Sequence, residues 1–267
     1  MNEGNIIGII SLKGGVGKTS SVANLGAALA SEFGKKVLAI DANFTAPNLG
    51  LHLGLSNPEV TIHDVLLNNA NAEDAIHRHE SGFHVIPGAY LSRKVNPFRL
   101  KQKIAHLKGY YDIILIDSSP NLNDEMLSTM IASDKLLVVT SPDYPTLSTT
   151  LRAVRLAKQK KTPISGLILN RVLGKKFELS IHDIEEAAGV PVVSVLPEDI
   201  RVPESIANTN PVTLHKPKSN AAVEYKKLAA ALIGQEYTDP RFLSRIKSIF
   251  RRDVKKDSIN RLLINRE

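Results

Sequence analysis

A short apolar run, a glycine-rich loop and a helical pattern follow one another at the start of the chain. Residues 5–10 are rich in isoleucine, which is typical of a buried parallel strand. Residues 11–19 read Ser-Leu-Lys-Gly-Gly-Val-Gly-Lys-Thr, and Gly34 ends a helical pattern formed by Val22, Leu25, Ala28, Leu29 and Phe33. A helix that begins after such a loop directs free backbone N–H groups at a bound phosphate. The segment therefore predicts a phosphate-binding loop.

The loop departs from the general phosphate-binding pattern at one point. Residues 17–19 match the end of G-x-x-x-x-G-K-[ST], in which backbone amides cradle phosphates and the last lysine reaches the β- and γ-oxygens. Leu12 stands where the first glycine of that pattern belongs, and Lys13 precedes Gly14 and Gly15. The loop thus carries a second lysine at its mouth.

This arrangement resembles the deviant Walker A motif of the MinD/ParA family of dimerising ATPases. In that family the extra lysine reaches across a dimer interface to the nucleotide of the partner subunit. The resemblance implies this role for Lys13, together with an ATP-dependent homodimer. It also implies that the nucleotide phosphates bind at Gly14, Gly15, Val16, Gly17, Lys18, Thr19 and Ser20.

The positive charge of the chain lies almost entirely at its C-terminal end. The formal net charge of the 267 residues is +7, and residues 241–267 hold nine Lys or Arg against three Asp or Glu. The other residues are then close to neutral. A nucleic-acid surface spread over the whole globule is therefore not what the composition indicates.

Composition excludes several other classes of protein. The chain has no cysteine, so disulfides and a cysteine-ligated iron–sulfur cluster are excluded, and a reducing cytosol is expected. No apolar stretch is long enough to span a bilayer, and we expect no secretory signal before the first strand. The eight histidines show no metal-ligand spacing, and His77 and His79 lie in a polar segment where we expect them to be solvated.

Apolar runs alternate with helical patterns along the chain, which predicts a mostly parallel sheet with helices on both faces. We expect one α/β P-loop NTPase domain over residues 1–234 and a basic tail over 235–267. The predicted strands are 5–11, 36–41, 83–86, 112–117, 135–140, 164–170, 192–196 and a further short one at 211–214. The predicted helices are 18–33, 97–108, 121–132, 146–160, 178–188 and 220–233.

Two predicted strands end in an aspartate. Ligands of an open α/β sheet bind at the carboxyl ends of its strands, so both residues are candidates for the site. Asp117 stands at the Walker B position, and the resemblance implies that it holds the Mg²⁺ hydration shell opposite the hydroxyl of Thr19. Asp41 is the first residue of the segment 41–50, which resembles switch I of the family. This resemblance implies that Asp41 senses the γ-phosphate.

The switch I segment (residues 41–50) differs from the family at Asn43. The family commonly has an aspartate there, which is implicated in orienting or activating the attacking water. An amide can orient water by hydrogen bonding but cannot act as a base at neutral pH. We therefore expect ATP hydrolysis to proceed, but slowly.

Two later strand ends suggest recognition of the base. Asn170 and Arg171 stand where relatives contact the adenine edge through the asparagine amide. Pro197 and Glu198 resemble the second base-contacting loop of the family. The resemblance covers about residues 1–234, and the cofactors that it implies are ATP and Mg²⁺.

The basic tail contains a predicted amphipathic helix. At helical spacing, Arg, Lys and Ser side chains share one face, and the opposite face carries Phe242, Leu243, Ile246, Ile249 and Phe250. A basic face opposite large apolar residues is the signature of a helix lying in the membrane interface. The segment also resembles the membrane-targeting helix of the family. Docking of this helix on its own domain and contact with nonspecific DNA are the alternatives.

Taken together, these features predict a Mg-ATP-dependent dimerising ATPase that attaches to the inner face of the cell membrane and serves spatial positioning, for example of the division site. An unidentified regulatory protein is an expected partner. One rival function is a DNA-segregation ATPase that binds nonspecific DNA, and another is a nucleotide-bound scaffold with negligible turnover.

Overall fold

The strands predicted from the apolar runs form one sheet. The computed structural model describes residues 3–91, 93–239 and 241. Their strands are β1 (Asn5–Ile10), β2 (Val37–Ala42), β3 (His77–Arg78), β4 (His84–Ile86), β5 (Ile113–Ser118), β6 (Lys135–Thr140), β7 (Ile164–Val172) and β8 (Val192–Pro197). The sheet order is β3-β4-β2-β5-β1-β6-β7-β8, and only the pairing of β3 with β4 is antiparallel among the described strands. The phosphate-binding loop thus leaves the middle of a parallel sheet.

Helices cover both faces of this sheet. They are α1 (Lys18–Ser31), α2 (Leu49–His52), α3 (Ile62–Leu66), α4 (Leu100–Ile104), α5 (Asp124–Ala132), α6 (Tyr144–Gln159), α7 (Ile181–Ala188), α8 (Arg201–Ala207), α9 (Val212–His215) and α10 (Asn220–Leu232). Short 3-10 turns lie at Glu73–Ala75, Pro97–Arg99 and Ala105–Gly109. Alternate residues of a strand point to opposite faces. Accordingly, Ile7 and Ile9 pack under α1, whereas Ile6 contributes to a second buried cluster on the other side.

Side chains at the helix starts explain where several helices begin. Asn123 accepts a hydrogen bond from the backbone N–H of Met126 and sets the start of α5. Asp143 accepts one from the N–H of Thr146 at the start of α6, and Ser180 caps α7 in the same way. Such caps satisfy N–H groups that the helix itself leaves free.

The strand predicted at 211–214 is wrong, because these residues contain the short helix α9. A run of four residues is too short for its periodicity to distinguish a strand from a buried helix. The tertiary contact decides the outcome, since the N–H of Thr213 donates to Oδ1 of Asn24 on α1 at 3.1 Å. The predicted helix at 97–108 is likewise divided into two 3-10 turns and α4.

The expectation that both histidines near β3 are solvated is wrong for His79. Its side chain is buried and its ring packs on Phe83, with a centroid distance of 5.1 Å. His77 is half-buried, and its Nε2 lies 3.1 Å from the carbonyl oxygen of Val60. No helix among the described residues is both long and apolar enough to cross a bilayer.

Candidate functional site

The phosphate-binding loop connects β1 to α1. Gly15 and Gly17 have φ angles of 73° and 102°, a region in which a side chain is strained, so the loop needs glycine at both positions. Gly17 is also the N-cap of α1, and no side chain caps the helix there. The first N–H groups of α1 therefore have no side-chain cap and are available to a ligand.

Asn170 lies directly against this loop. Its Nδ2 donates to the carbonyl oxygen of Val16 at 2.6 Å, and a Cβ atom on Gly17 would approach that nitrogen to 2.3 Å. The absence of a side chain at Gly17 is thus what lets β7 close on the loop. The structure brings Asn170 to the site, and its amide holds the loop backbone there.

Lys18 and Thr19 begin α1 and both face the end of β5. The Lys18 side chain is buried, and this burial lowers its pKa, although the nearby charge of Asp117 acts in the opposite direction. The hydroxyl of Thr19 lies 2.6 Å from Oδ2 of Asp117 and 3.0 Å from Oδ1 of Asn48. One hydroxyl proton can satisfy only one of these two oxygens at a time.

Asp41 and Asp117 lie side by side at the carboxyl edge of the sheet. Strands β2 and β5 are parallel neighbours whose register pairs these two residues. Their exposed fractions are 0% and 1%. Asp41 accepts backbone hydrogen bonds from Asn48 at 2.9 Å and Leu49 at 3.0 Å, both through Oδ2. Oδ1 of Asp117 is buried and has no hydrogen-bond partner among the described residues.

Both carboxyl groups are electrostatically unfavourable in their ionised form. Burial, and then the charge of Asp117, raises the pKa of Asp41. Burial also raises the pKa of Asp117, although the Thr19 hydroxyl and the Lys18 charge oppose the change. Two adjacent buried carboxylates with one cation beside them favour the arrival of further positive charge.

The switch I segment is held by its own backbone and side chains. The N–H of Asn43 donates to Oδ1 of Asp41 at 3.1 Å, and its amide Nδ2 donates to the carbonyl oxygen of Ala46 at 2.6 Å. The Asn43 side chain is buried. One of its two amide hydrogens therefore serves the turn that follows.

Lys13 contacts the beginning of α6. Its Nζ lies 2.5 Å from Oγ1 of Thr146 and 3.5 Å from Oδ1 of Asp143, and 41% of the side chain is exposed. Burial acts to raise the pKa of Asp143, but hydrogen bonds from Ser141 and Thr146, together with Lys13, lower it on balance. The extra lysine thus rests against the cap of a neighbouring helix, and much of it faces solvent.

The two segments expected to contact the base lie next to each other. Val172 on β7 pairs in register with Pro197 on β8, and the N–H of Glu198 donates to the carbonyl oxygen of Val172 at 3.0 Å. Arg171 is exposed and has a φ angle of 58°, which is unusual for a residue with a side chain. Of the residues expected to contact the base, Asn170 has a direct contact with the loop, through its bond to Val16.

Other residues of the site were missed by sequence reasoning. Asn48 bonds both Thr19 and Asp41, and its position within the segment resembling switch I was the only available signal. Glu125 on α5 is buried, accepts a hydrogen bond from the Thr45 hydroxyl at 2.5 Å, and leaves Oε2 without a partner among the described residues. The predicted tail helix, including Phe242, Leu243, Ile246, Ile249 and Phe250, lies outside the described residues.

Comparisons with known proteins agree with this geometry. The model of a family described as "AAA domain" matches residues 4–163. An uncharacterized ATP-binding protein of Methanocaldococcus jannaschii is 38% identical, with 86% of this chain and 88% of the relative covered. The septum site-determining protein MinD of Thermotoga maritima is 32% identical, with 87% and 89% covered.

A solved structure resembles the fold closely. It is the septum site-determining protein MinD of Pyrococcus horikoshii in complex with Mg-ADP, and its sequence is 35% identical to this chain. The TM-score is 0.81, and the match covers 91% of this chain and 98% of that one.

Proposed function

The chain belongs to the MinD/ParA family of P-loop ATPases, and from this premise we propose that it is a Mg-ATP-dependent dimerising ATPase whose nucleotide state controls attachment to the membrane. The observation that carries the proposal is the combination of two lysines in one phosphate-binding loop, Lys18 buried beside the carboxylates and Lys13 half-exposed at the mouth. Lys18 can serve the nucleotide of its own subunit. Lys13, which lies against Thr146 and Asp143 in the single subunit, would exchange these partners for the nucleotide of a second subunit.

The residues at the strand ends fit a magnesium–nucleotide complex. The unpartnered Oδ1 of Asp117 and the neighbouring hydroxyl of Thr19 are hard oxygen donors, which Mg²⁺ prefers. The bound cation supplies positive charge that stabilises the phosphate oxygens during phosphoryl transfer. We propose that Thr19 and Asp117 hold it, in part through water, and that residues 14–20 bind the phosphates of ATP.

Positioning of water is the proposed task of the switch I segment. Asp41 fixes this segment by accepting N–H groups from both of its halves. Asn43 can orient water only by hydrogen bonding, and one of its two amide hydrogens already bonds the carbonyl oxygen of Ala46. This arrangement supports slow turnover. Asn170, Arg171, Pro197 and Glu198 are proposed to contact the adenine.

Attachment to the membrane is proposed to depend on the tail after residue 240. Each Lys or Arg near an anionic surface contributes about 1 kcal/mol to binding. A dimer presents two tails, and linking two weak binding elements raises their joint avidity without new contacts. ATP would then favour residence on the inner face of the cell membrane, and hydrolysis, stimulated by a regulatory protein, would favour release. The biological output would be spatial positioning, for example of the division site.

Flotation with anionic liposomes tests this proposal. The full chain and a variant lacking residues 241–267 are each mixed with vesicles of phosphatidylglycerol and phosphatidylcholine in the presence of ATP or ADP. We expect ATP to increase the bound fraction of the full chain several-fold, because the avidity of paired tails requires the dimer. The truncated variant should remain in the unbound fraction with either nucleotide.

A parallel measurement separates the membrane from DNA. Pull-down on random duplex DNA uses the same two variants and a series of salt concentrations, because binding to a phosphate backbone weakens steeply with salt. ATP-dependent retention on DNA together with no flotation would favour the DNA-segregation function. Flotation that is unaffected by removing the tail would contradict the membrane-helix proposal.

Asn43→Asp tests the proposed slow turnover. We expect a clearly faster ATPase, because the carboxylate can accept a proton and adds an acceptor for water. The variant should also unfold at a lower temperature, since it loses the donor to Ala46 and adds a carboxylate beside buried Asp41. Single-turnover hydrolysis and thermal unfolding measure the two effects. An unchanged rate would remove Asn43 from the mechanism.

A further inference from the structure

His63 on α3 is buried beside the switch I segment. Its exposed fraction is 0%. The ring nitrogen Nε2 lies 2.9 Å from the carbonyl oxygen of Phe44, and Nδ1 lies 3.0 Å from the backbone nitrogen of Ala89. The ring also meets the Phe44 ring edge-to-face at 5.8 Å. One side chain therefore bridges two backbone segments, each close to Asp41.

The two backbone partners determine the tautomer. A backbone N–H only donates, so Nδ1 must accept from Ala89 and carries no proton. The Phe44 carbonyl only accepts, so Nε2 must carry the proton and donate it. Burial lowers the pKa of His63, although the Phe44 carbonyl and the charges of Asp64 and Glu125 oppose the change and that of Arg93 assists it. The neutral ring satisfies both partners.

Each partner lies on a segment that packs beside Asp41. Phe44 lies between Asn43 and Thr45, inside the turn that the Asn43–Ala46 hydrogen bond closes. Fixing the Phe44 carbonyl therefore fixes the backbone of this turn. Ala89 follows Gly88, where a Cβ atom would lie 2.3 Å from Cβ of Pro47 and 3.6 Å from Cγ of Asp41. The loop after β4 thus packs against the switch I segment from the other side.

The geometry points to His63 as the positioning residue of the switch I segment, which it holds through the hydrogen bond from Nε2 to Phe44. This inference rests on the proposed ATPase function, because it explains how the segment around Asn43 is kept ready for water. An apolar side chain would fill the space but leave a buried carbonyl and a buried N–H unpaired. The role is thus one of orientation, and His63 itself touches no reacting atom.

Two substitutions separate the two hydrogen bonds. In His63→Gln, the side-chain amide nitrogen can occupy the position of Nε2 and still donate to Phe44. In His63→Asn, the shorter amide can only replace Nδ1, so Ala89 keeps an acceptor and Phe44 loses its donor. His79→Asn is the matched control, because His79 is also buried but bonds Ser81 at the turn between β3 and β4.

Hydrogen exchange of the nucleotide-free protein and steady-state ATP hydrolysis provide the readouts. We expect the amides of residues 43–46, 48 and 49 to exchange several-fold faster in His63→Asn than in His63→Gln. The kcat of His63→Asn should fall about tenfold while its KM for ATP stays nearly unchanged, because misplacement of the segment affects the reacting geometry more than nucleotide binding. His79→Asn should leave both readouts at the wild-type value.

Equal exchange and equal kcat in His63→Gln and His63→Asn would overturn the inference. The hydrogen bond to Phe44 would then have no effect of its own, and any loss of activity would reflect a general loss of stability. Thermal unfolding of all three variants supplies that comparison. A wild-type protein without ATPase activity would contradict the proposed function. The exchange of the amides of residues 43–46, 48 and 49, which needs no nucleotide, would still decide whether His63 orders the switch I segment.

Discussion

Replacing Lys13 with glutamine is expected to abolish ATP-dependent dimerisation and to lower ATP turnover by about 100-fold or more, as removal of a charge aimed at the reacting phosphates does. The nucleotide of the same subunit depends on Lys18 and the loop backbone, which the substitution leaves in place. ATP binding should therefore change little. Sedimentation with ATP, binding of a fluorescent ATP analogue and a turnover assay measure the three quantities.

The stability of the Lys13→Gln variant should stay close to that of the wild type. Lys13 is 41% exposed and its distance to Asp143 is 3.5 Å, and ion pairs of this kind contribute about 0–1 kcal/mol. Lys101→Gln on α4 is a suitable control, because it removes an exposed lysine of another element and should dimerise normally. A Lys13→Gln protein that still dimerises with ATP would refute the proposed reach across the interface.

Asp117→Asn is expected to have opposite effects on activity and on the stability of the nucleotide-free protein. ATP turnover should fall about 100-fold or more, because the variant loses the carboxylate proposed to hold Mg²⁺. The unfolding temperature above pH 6 should rise, because the substitution removes a buried charge that repels Asp41. A gain in stability together with a loss of activity is the expected signature of a functional carboxylate.

The raised pKa values of Asp41 and Asp117 determine whether they make the folded protein more or less stable as pH rises. Burial raises the pKa of Asp117 from 3.8 to about 6, and that of Asp41 from 3.8 to about 8 with a contribution from Asp117. Between the unfolded and the folded pKa, the folded state binds more protons, so stability falls as pH rises. The contribution of these two carboxyl groups to stability should thus fall from about pH 4 to pH 8. Groups whose pKa is lowered by folding, such as His63, contribute with the opposite sign, so the measured quantity is the difference in stability between the wild type and Asp117→Asn, which should grow in favour of the variant as pH rises.

Thermal unfolding in EDTA, without nucleotide, measures this difference. Asp64→Asn is the control of opposite sign, because hydrogen bonds from Thr61 and the charge of Arg93 lower the pKa of Asp64 against its burial. Its replacement should destabilise the protein at pH 7. A nucleotide-free Asp117→Asn protein that is less stable than the wild type at pH 8 would contradict the electrostatic argument.

Features that depend on neighbouring residues in the chain were predictable. Two glycines of the loop have φ angles of 73° and 102°, which residues with a side chain rarely adopt. This requirement is local, so the spacing of the glycines in the sequence is enough to predict the loop. The aspartates at the ends of β2 and β5 were recognisable because parallel strands bring their carboxyl ends to one edge. The short helix α9 was not, because four residues carry no usable period and its docking on α1 decides its structure.

The sequence by itself therefore determined the phosphate-binding loop, the alternation of strands and helices, and the family. Only the tertiary structure decided which side chains meet around that loop. The bond from Lys13 to Thr146 spans 133 positions and that from Thr19 to Asp117 spans 98. Such contacts depend on the order and register of β2, β5, β1 and β6, and a local pattern does not encode which strands become neighbours. The bridge made by His63 depends on the tertiary structure in the same way, since its two partners lie in the loops that follow β2 and β4.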